Sequence, residues 1–189
     1  MDRRVLKTRK AIIEAFVGLL EEQDFEQITI NEIADRANVN RGTLYLHYAD
    51  KFDLLDQCIE TYLQRLLDAC MIESSTTTPV TAKDALLRTF CYLEQHASTY
   101  TTLLTKKGIP AFRSKLMTLL VQGLQDQMDA CGIQEGMKKE ITIQFLASAA
   151  VGILEWWIMN SMPYPAEEIV DQLIGLLQLH LNLHAPING

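Results

Sequence analysis

The run from Thr29 to Leu55, TINEIADRANVNRGTLYLHYADKFDLL, has room for two short helices around a tight turn and for the start of a third. Thr29 suits an N-cap, because its hydroxyl can accept from the amide of Asn31 or Glu32. Glu32 stands three residues on and completes a capping box. Ile30, Ile33, Ala34 and Ala37 then recur at helical spacing as one apolar stripe. Asn38 follows the stripe, and Asn tolerates the left-handed conformation that ends a helix. Val39 plugs the corner, Asn40 caps the next helix, and Gly42 keeps its first turn slim.

On that second helix Leu44 and Tyr48 are four apart and face the core. Arg41, Thr43, Tyr45 and His47 are left pointing outward. Arg can pair with a guanine edge, and the Thr methyl can touch a thymine methyl. Tyr and His suit phosphate oxygens, which set register without reading sequence. Lys51 falls in the first turn of the third helix, where the dipole disfavours a cation. A nearby phosphate would account for it. A turn followed by a small helix with such a polar side is a device for entering the major groove of duplex DNA.

These residues resemble the N-terminal domain of the tetracycline-repressor (TetR) family, through ITINEIADRANVNRGTLYLHYADKFDLL and the preceding helix with its FEQIT exit. The resemblance implies that Thr29 and Asn31 lie near the DNA backbone. It implies that Arg41, Thr43 and Tyr45 reach the groove, and that His47 and Lys51 hold phosphates. Leu46 departs from the aromatic or polar residue common at its position, so no contact is implied there. GIPAFRSKL and ILEWWIMNSMPYPAEEIVDQL are more loosely similar to one branch of the family's regulatory domains.

The remainder reads as helices. The first spans about Arg3 to Glu22, with Ile13, Phe16 and Leu20 at helical spacing and Phe25 tucking its exit back. The fourth starts at Asp50 and continues past Tyr62 and Leu66 toward Met71. ESSTTTPV at 73–80 reads as a loop. Thr81 caps a helix through about His96, a short one covers Thr99 to Lys107, and GIP at 108–110 breaks the chain. Another helix runs from Ala111 to Cys131. No stretch alternates with period two for long enough to be a strand. The expectation is an all-α fold: a three-helix DNA-binding domain over residues 1–49, and a helical effector-binding and dimerisation domain over 50–189.

From Ile141 to Pro165 the only charged residue is Glu155. A bundle helix needs only one apolar stripe. The length nearly suffices for a membrane span, but Gln144, Ser148 and Glu155 argue against one. Burial on two sides, by the chain's own domain and by a second subunit, fits better. The last helix, about Ala166 to Leu183, has one row of Ile169, Leu173 and Leu176 beside another of Val170, Ile174, Leu177 and Leu181. Gly152 would let a partner helix come close. A symmetric homodimer through the last two helices matches a palindromic operator, with recognition helices roughly 34 Å apart or at a longer spacing in register.

The net charge of −7 argues against a generic nucleic-acid coat but not against a local reader. Residues 1–51 hold 8 basic and 9 acidic residues, and the rest 9 and 15. The acidity behind the reader would repel DNA and orient docking. Arg3, Arg4, Lys7, Arg9 and Lys10 make the opening basic. Charge runs straight into an amphipathic helix there, so no secretory leader is expected. Cys58, Cys70, Cys91 and Cys131 are scattered, with no CxxC pair, and read as reduced packing residues of a cytoplasmic protein.

The middle helices carry Tyr62, Tyr92, His96, Tyr100, Phe112, Met117, Trp156 and Trp157. A few polar groups among aromatics suit a small-molecule effector pocket, and they equally suit a core. The two tryptophans point about 100° apart, one toward the interior and the other toward the subunit seam. No cofactor or metal site is expected, and no catalytic set: the chain lacks a glycine-rich phosphate cradle and HExxH. Cys91 and His96 lie about 140° apart on one helix. An activator of the same fold and a helical protein-binding adaptor remain open, though an adaptor leaves the Arg41–Lys51 set unexplained.

Overall fold

Ile12, Ile13, Phe16, Leu19 and Leu20 form one stripe, and all five are buried along α1 (Arg3–Glu22). The computed structural model describes residues 3–71, 81–105, 110–131 and 138–182. Among these residues the chain is helical without strands. α2 (Ile30–Arg36), α3 (Arg41–His47) and α4 (Lys51–Met71) follow α1. Then come α5 (Ala82–Gln95), α6 (Ala97–Thr105), α7 (Pro110–Cys131), α8 (Lys139–Met159) and α9 (Ala166–Asn182). The loops expected at 73–80 and at Gly108 and Ile109 lie outside the described residues, as do the side chains of Leu177 and Leu181.

Local chemistry explains the boundaries. The Thr29 capping box forms, with the Glu32 amide donating to Thr29 Oγ1 and the Thr29 amide donating to Glu32 Oε2. Asn38 takes φ 53° and ends α2. Val39 N–H then reaches Ala34 O at 3.0 Å and Asn38 N–H reaches Asp35 O at 3.1 Å, which is the Schellman arrangement. Asp50 Oδ1 caps α4 by accepting from Phe52 and Asp53 amides. Thr81 and Asp84 repeat the capping box at α5. Asn40 occupies the N-cap position of α3, but its side chain makes no capping bond, which corrects the expectation.

α4 belongs to both halves. Leu54, Cys58 and Ile59 complete the core under α1–α3, while Tyr62, Leu63 and Leu66 continue the same core toward Phe90, Tyr100 and Phe112. Each fully buried Leu or Ile contributes about 1.5–3 kcal/mol, so packing rather than intrinsic propensity holds this helix. α4 packs on α5 and α7, α5 on α9, and α7 on α8. Lys115 on α7 reaches Glu60 at 3.1 Å and Asp56 at 3.4 Å on α4. Arg113 pairs with Glu155 at 2.7 Å, which explains the lone charge in the apolar run from Ile141 to Pro165.

Burial pushes the Cys58 thiol up to about 12 and raises the hydroxyls of Tyr48, Tyr62 and Tyr100. All four groups stay neutral in the folded chain, whereas unfolding frees them to ionise at their ordinary values. Their contribution to stability is therefore complete below about pH 9 and is lost as pH rises toward the folded values. The thermal midpoint should fall progressively above pH 9, and a midpoint constant to pH 11 would contradict this packing.

Candidate nucleic-acid interface

α3 stands on two buried side chains, Leu44 and Tyr48, which press it against the core. Thr29, Asn31, Asn40, Arg41 and Tyr45 are exposed, and Thr43 and His47 are half-buried. The polar residues expected on α2 and α3 are thus all at least partly open to solvent. Arg41 and Tyr45, one turn apart, make a unit: Arg41 Nη2 donates to Tyr45 Oη at 3.3 Å, and the guanidinium lies 5.5 Å from the ring centroid. Such a contact restricts both side chains and lowers the entropy lost when they meet a target. A Cβ at Gly42 would touch nothing within 4 Å, so no packing inside the chain demands this glycine. The bare turn leaves space for something outside it.

Lys51 is engaged within the chain. Its Nζ donates to Phe25 O at 2.8 Å, Ile28 O at 2.9 Å and Glu26 O at 3.2 Å. It also sits 4.4 Å from the Phe25 ring centroid. All three ammonium protons are thereby committed to the α1–α2 corner. Those carbonyls account for a cation in the first turn of α4.

Other braces were not read from the sequence. Asp53 Oδ2 accepts from the Ala49 amide at 2.7 Å, and Asp53 Oδ1 accepts from Gln57 at 2.8 Å. Gln57 in turn accepts from Arg9 on α1. The hydrogen bonds from Gln57 and from Ala49 hold the Asp53 carboxyl below its ordinary range. Arg36 makes a two-pronged pair with Glu22, 2.7 Å on each side, and crosses α1 over Gly18, where a Cβ would lie 2.9 Å from the guanidinium. The first turns of α4 therefore grip the α1–α2 corner through Lys51 and the exit of α3 through Asp53. Their only sequence signal was a cation and an acid at the helix start.

The candidate effector residues separate. Tyr100 is central, 5.9–6.0 Å by ring centroid from Tyr62, Tyr92 and Phe112, and its hydroxyl donates to Tyr62 O at 2.9 Å. His96 is exposed at the end of α5, 4.4 Å from the Tyr92 ring. Trp156 does not join them. It is exposed and stacks on Tyr164, while Trp157 is the buried one and donates to Tyr164 O at 2.8 Å. An open groove of about 430 Å³ lies beside the cluster between α4 and α7, with Leu63, Leu67 and Leu119 on its walls and Glu60 and Lys115 at its polar side.

Residues 12–58 match the family described as bacterial regulatory proteins, tetR family, and residues 80–179 match its transcriptional regulator C-terminal region. The chain belongs to the TetR family. This TetR-family chain is similar to the regulator YxbF of Bacillus subtilis (strain 168), 42% identical over 76 residues, which is 40% of this chain and 20% of that protein. It is also similar to the "Probable acrEF/envCD operon repressor" of Escherichia coli (strain K12), 24% identical across 94% of this chain and 90% of that protein. Among solved structures, a TetR transcriptional regulator from Streptococcus agalactiae 2603V superposes with a TM-score of 0.69 at 26% identity, covering 93% and 96% of the two chains. The TetR fold with its N-terminal helix-turn-helix makes this chain a DNA-binding transcriptional regulator.

Proposed function

We propose that the chain acts in the cytoplasm as a homodimeric repressor of a palindromic operator, with operator affinity lowered by a small-molecule effector. Thr29, Asn31, Thr43 and His47 flank the groove-facing pair Arg41 and Tyr45. Lys51 frames this surface from behind. The observation that carries the reading is the uncovered apolar stripe on α8: Ile141, Phe145, Trp156 and Met159 are exposed, opposite the buried Ile143, Ala147, Val151, Leu154 and Ile158. Exposed apolar area of this extent marks an interface. Leu176 on α9 adds to it. Two-sided burial of α8 accounts for a hydropathy that would otherwise suit a bilayer.

A pair of such subunits places two copies of α3 side by side. The effector acts on the region around Tyr62, Tyr92, Tyr100 and Phe112, and α4 links that region to the reader. An effector that prefers a subunit geometry with the wrong α3 spacing weakens DNA binding by its differential binding energy, about 1–3 kcal/mol or 5- to 150-fold.

Selection of genomic fragments by the purified protein tests the reading. A palindrome with half-sites in register with the duplex turn should be enriched, and a lack of palindromes would refute it. On that operator Tyr45→Ala should weaken binding about 5- to 30-fold, since it removes the Tyr45 contact and unbinds Arg41, a loss of about 1–2 kcal/mol. The dimer should persist by light scattering. Unchanged affinity would count against this docking face.

A further inference from the structure

Leu46 is 83% exposed, the most exposed large apolar side chain among the described residues. Its position explains why nothing within the chain covers it. Leu44 points to the core, and two residues further round a helix is about 200°. Leu46 is therefore the outermost point of α3. Helical side chains lean toward the preceding turn, and one turn before Leu46 stands Gly42, which has no side chain and open space where a Cβ would be. The tip of α3 is thus an isobutyl group over bare backbone, with Thr43 three residues before it on the same side.

A protein partner would call for a contiguous apolar patch. The helical neighbours of Leu46 are Gly42 and the hydroxyl-bearing Thr43, which do not extend it into an apolar patch. In the major groove every base edge offers donors and acceptors, and thymine alone adds an apolar group, its 5-methyl. An isolated apolar tip among hydrogen-bonding side chains matches that one feature. We propose that Leu46 is a specificity-determining residue that seats on the 5-methyl group of one thymine in each half-site. This rests on the reading of α3 as the groove-entering helix.

The test uses full-length protein and the operator obtained by genomic selection. Each thymine is replaced in turn by deoxyuridine, which deletes only the methyl, and dissociation constants are measured for the wild type and for Leu46→Ala. The wild type should lose about fourfold at one thymine per half-site, the factor carried by one buried methyl, and about 15-fold with both replaced. Leu46→Ala should bind the natural operator more weakly and be indifferent to deoxyuridine at those two positions. Leu46 is exposed, so this variant keeps its fold. If wild type and variant lose equally at every thymine, the assignment of Leu46 is overturned while the docking reading stands. If the wild type selects no operator, the docking reading fails and takes the proposal with it.

Discussion

Gly152→Arg should convert the protein from a dimer to a monomer and reduce operator affinity at least about 100-fold. In the single subunit a Cβ at Gly152 meets nothing within 4 Å, so the substitution leaves the fold of each chain intact. It places a long cation in the middle of the α8 stripe, between Phe145 and Trp156. A partner helix could then approach only by burying an unpaired charge, which costs several kcal/mol. Two tethered half-site contacts gain about 10²–10⁴ over one through effective concentration, and the monomer forfeits that factor. Sedimentation would report the mass and circular dichroism the helix content. An unchanged dimer mass would show that α8 is not the seam.

Lys51→Ala should lower the thermal midpoint by roughly 3–12 °C and weaken binding to all DNA sequences alike. Removing the ammonium leaves the carbonyls of Phe25, Glu26 and Ile28 without their shared donor. Charge-assisted hydrogen bonds contribute about 1.5–3 kcal/mol, and a chain of this size shifts about 2–4 °C per kcal/mol. Lys51→Arg should not restore stability, because a planar fork cannot converge on three carbonyls as a tetrahedral ammonium does. The slope of log affinity against log salt separates the two roles. It stays unchanged if Lys51 is internal, and it flattens by about one unit, with the midpoint preserved, if Lys51 neutralises a phosphate.

The contrast between Thr29 and Lys51 shows which physics the sequence makes legible. The cap at Thr29, the left-handed Asn38 and the starts at Asp50 and Thr81 involve partners within five residues, so short-range spacing revealed them. Lys51 meets carbonyls 23 to 26 positions earlier, and only the folded α1–α2 corner gathers them. The Arg9–Gln57–Asp53 chain likewise spans 48 residues at its longest step. Asn40 had the right residue type for a cap, yet Thr43 bonds its carbonyl instead, and the side chain stays free of capping. Helical period placed Trp156 and Trp157 about 100° apart but could not orient the pair. Packing of Trp157 against Phe90, with ring centroids 5.1 Å apart, decides that Trp157 is inside. For Tyr62, Tyr92, Tyr100 and Phe112 the aromatic composition was legible, and their convergence from four helices was not.

The twin grip of Lys51 and Asp53 makes α4 a lever. With 21 residues it is about 30 Å long. A tilt of about 5° pivoting at its far end sweeps its head through roughly 3 Å. Because the head is fastened both to the α1–α2 corner and to the α3 exit, that sweep carries the entire reader as one piece instead of dissipating in a loose joint. In the proposed homodimer the same sweep, mirrored across the twofold axis, would change the gap between the two heads by up to about 6 Å, a substantial fraction of a groove's width.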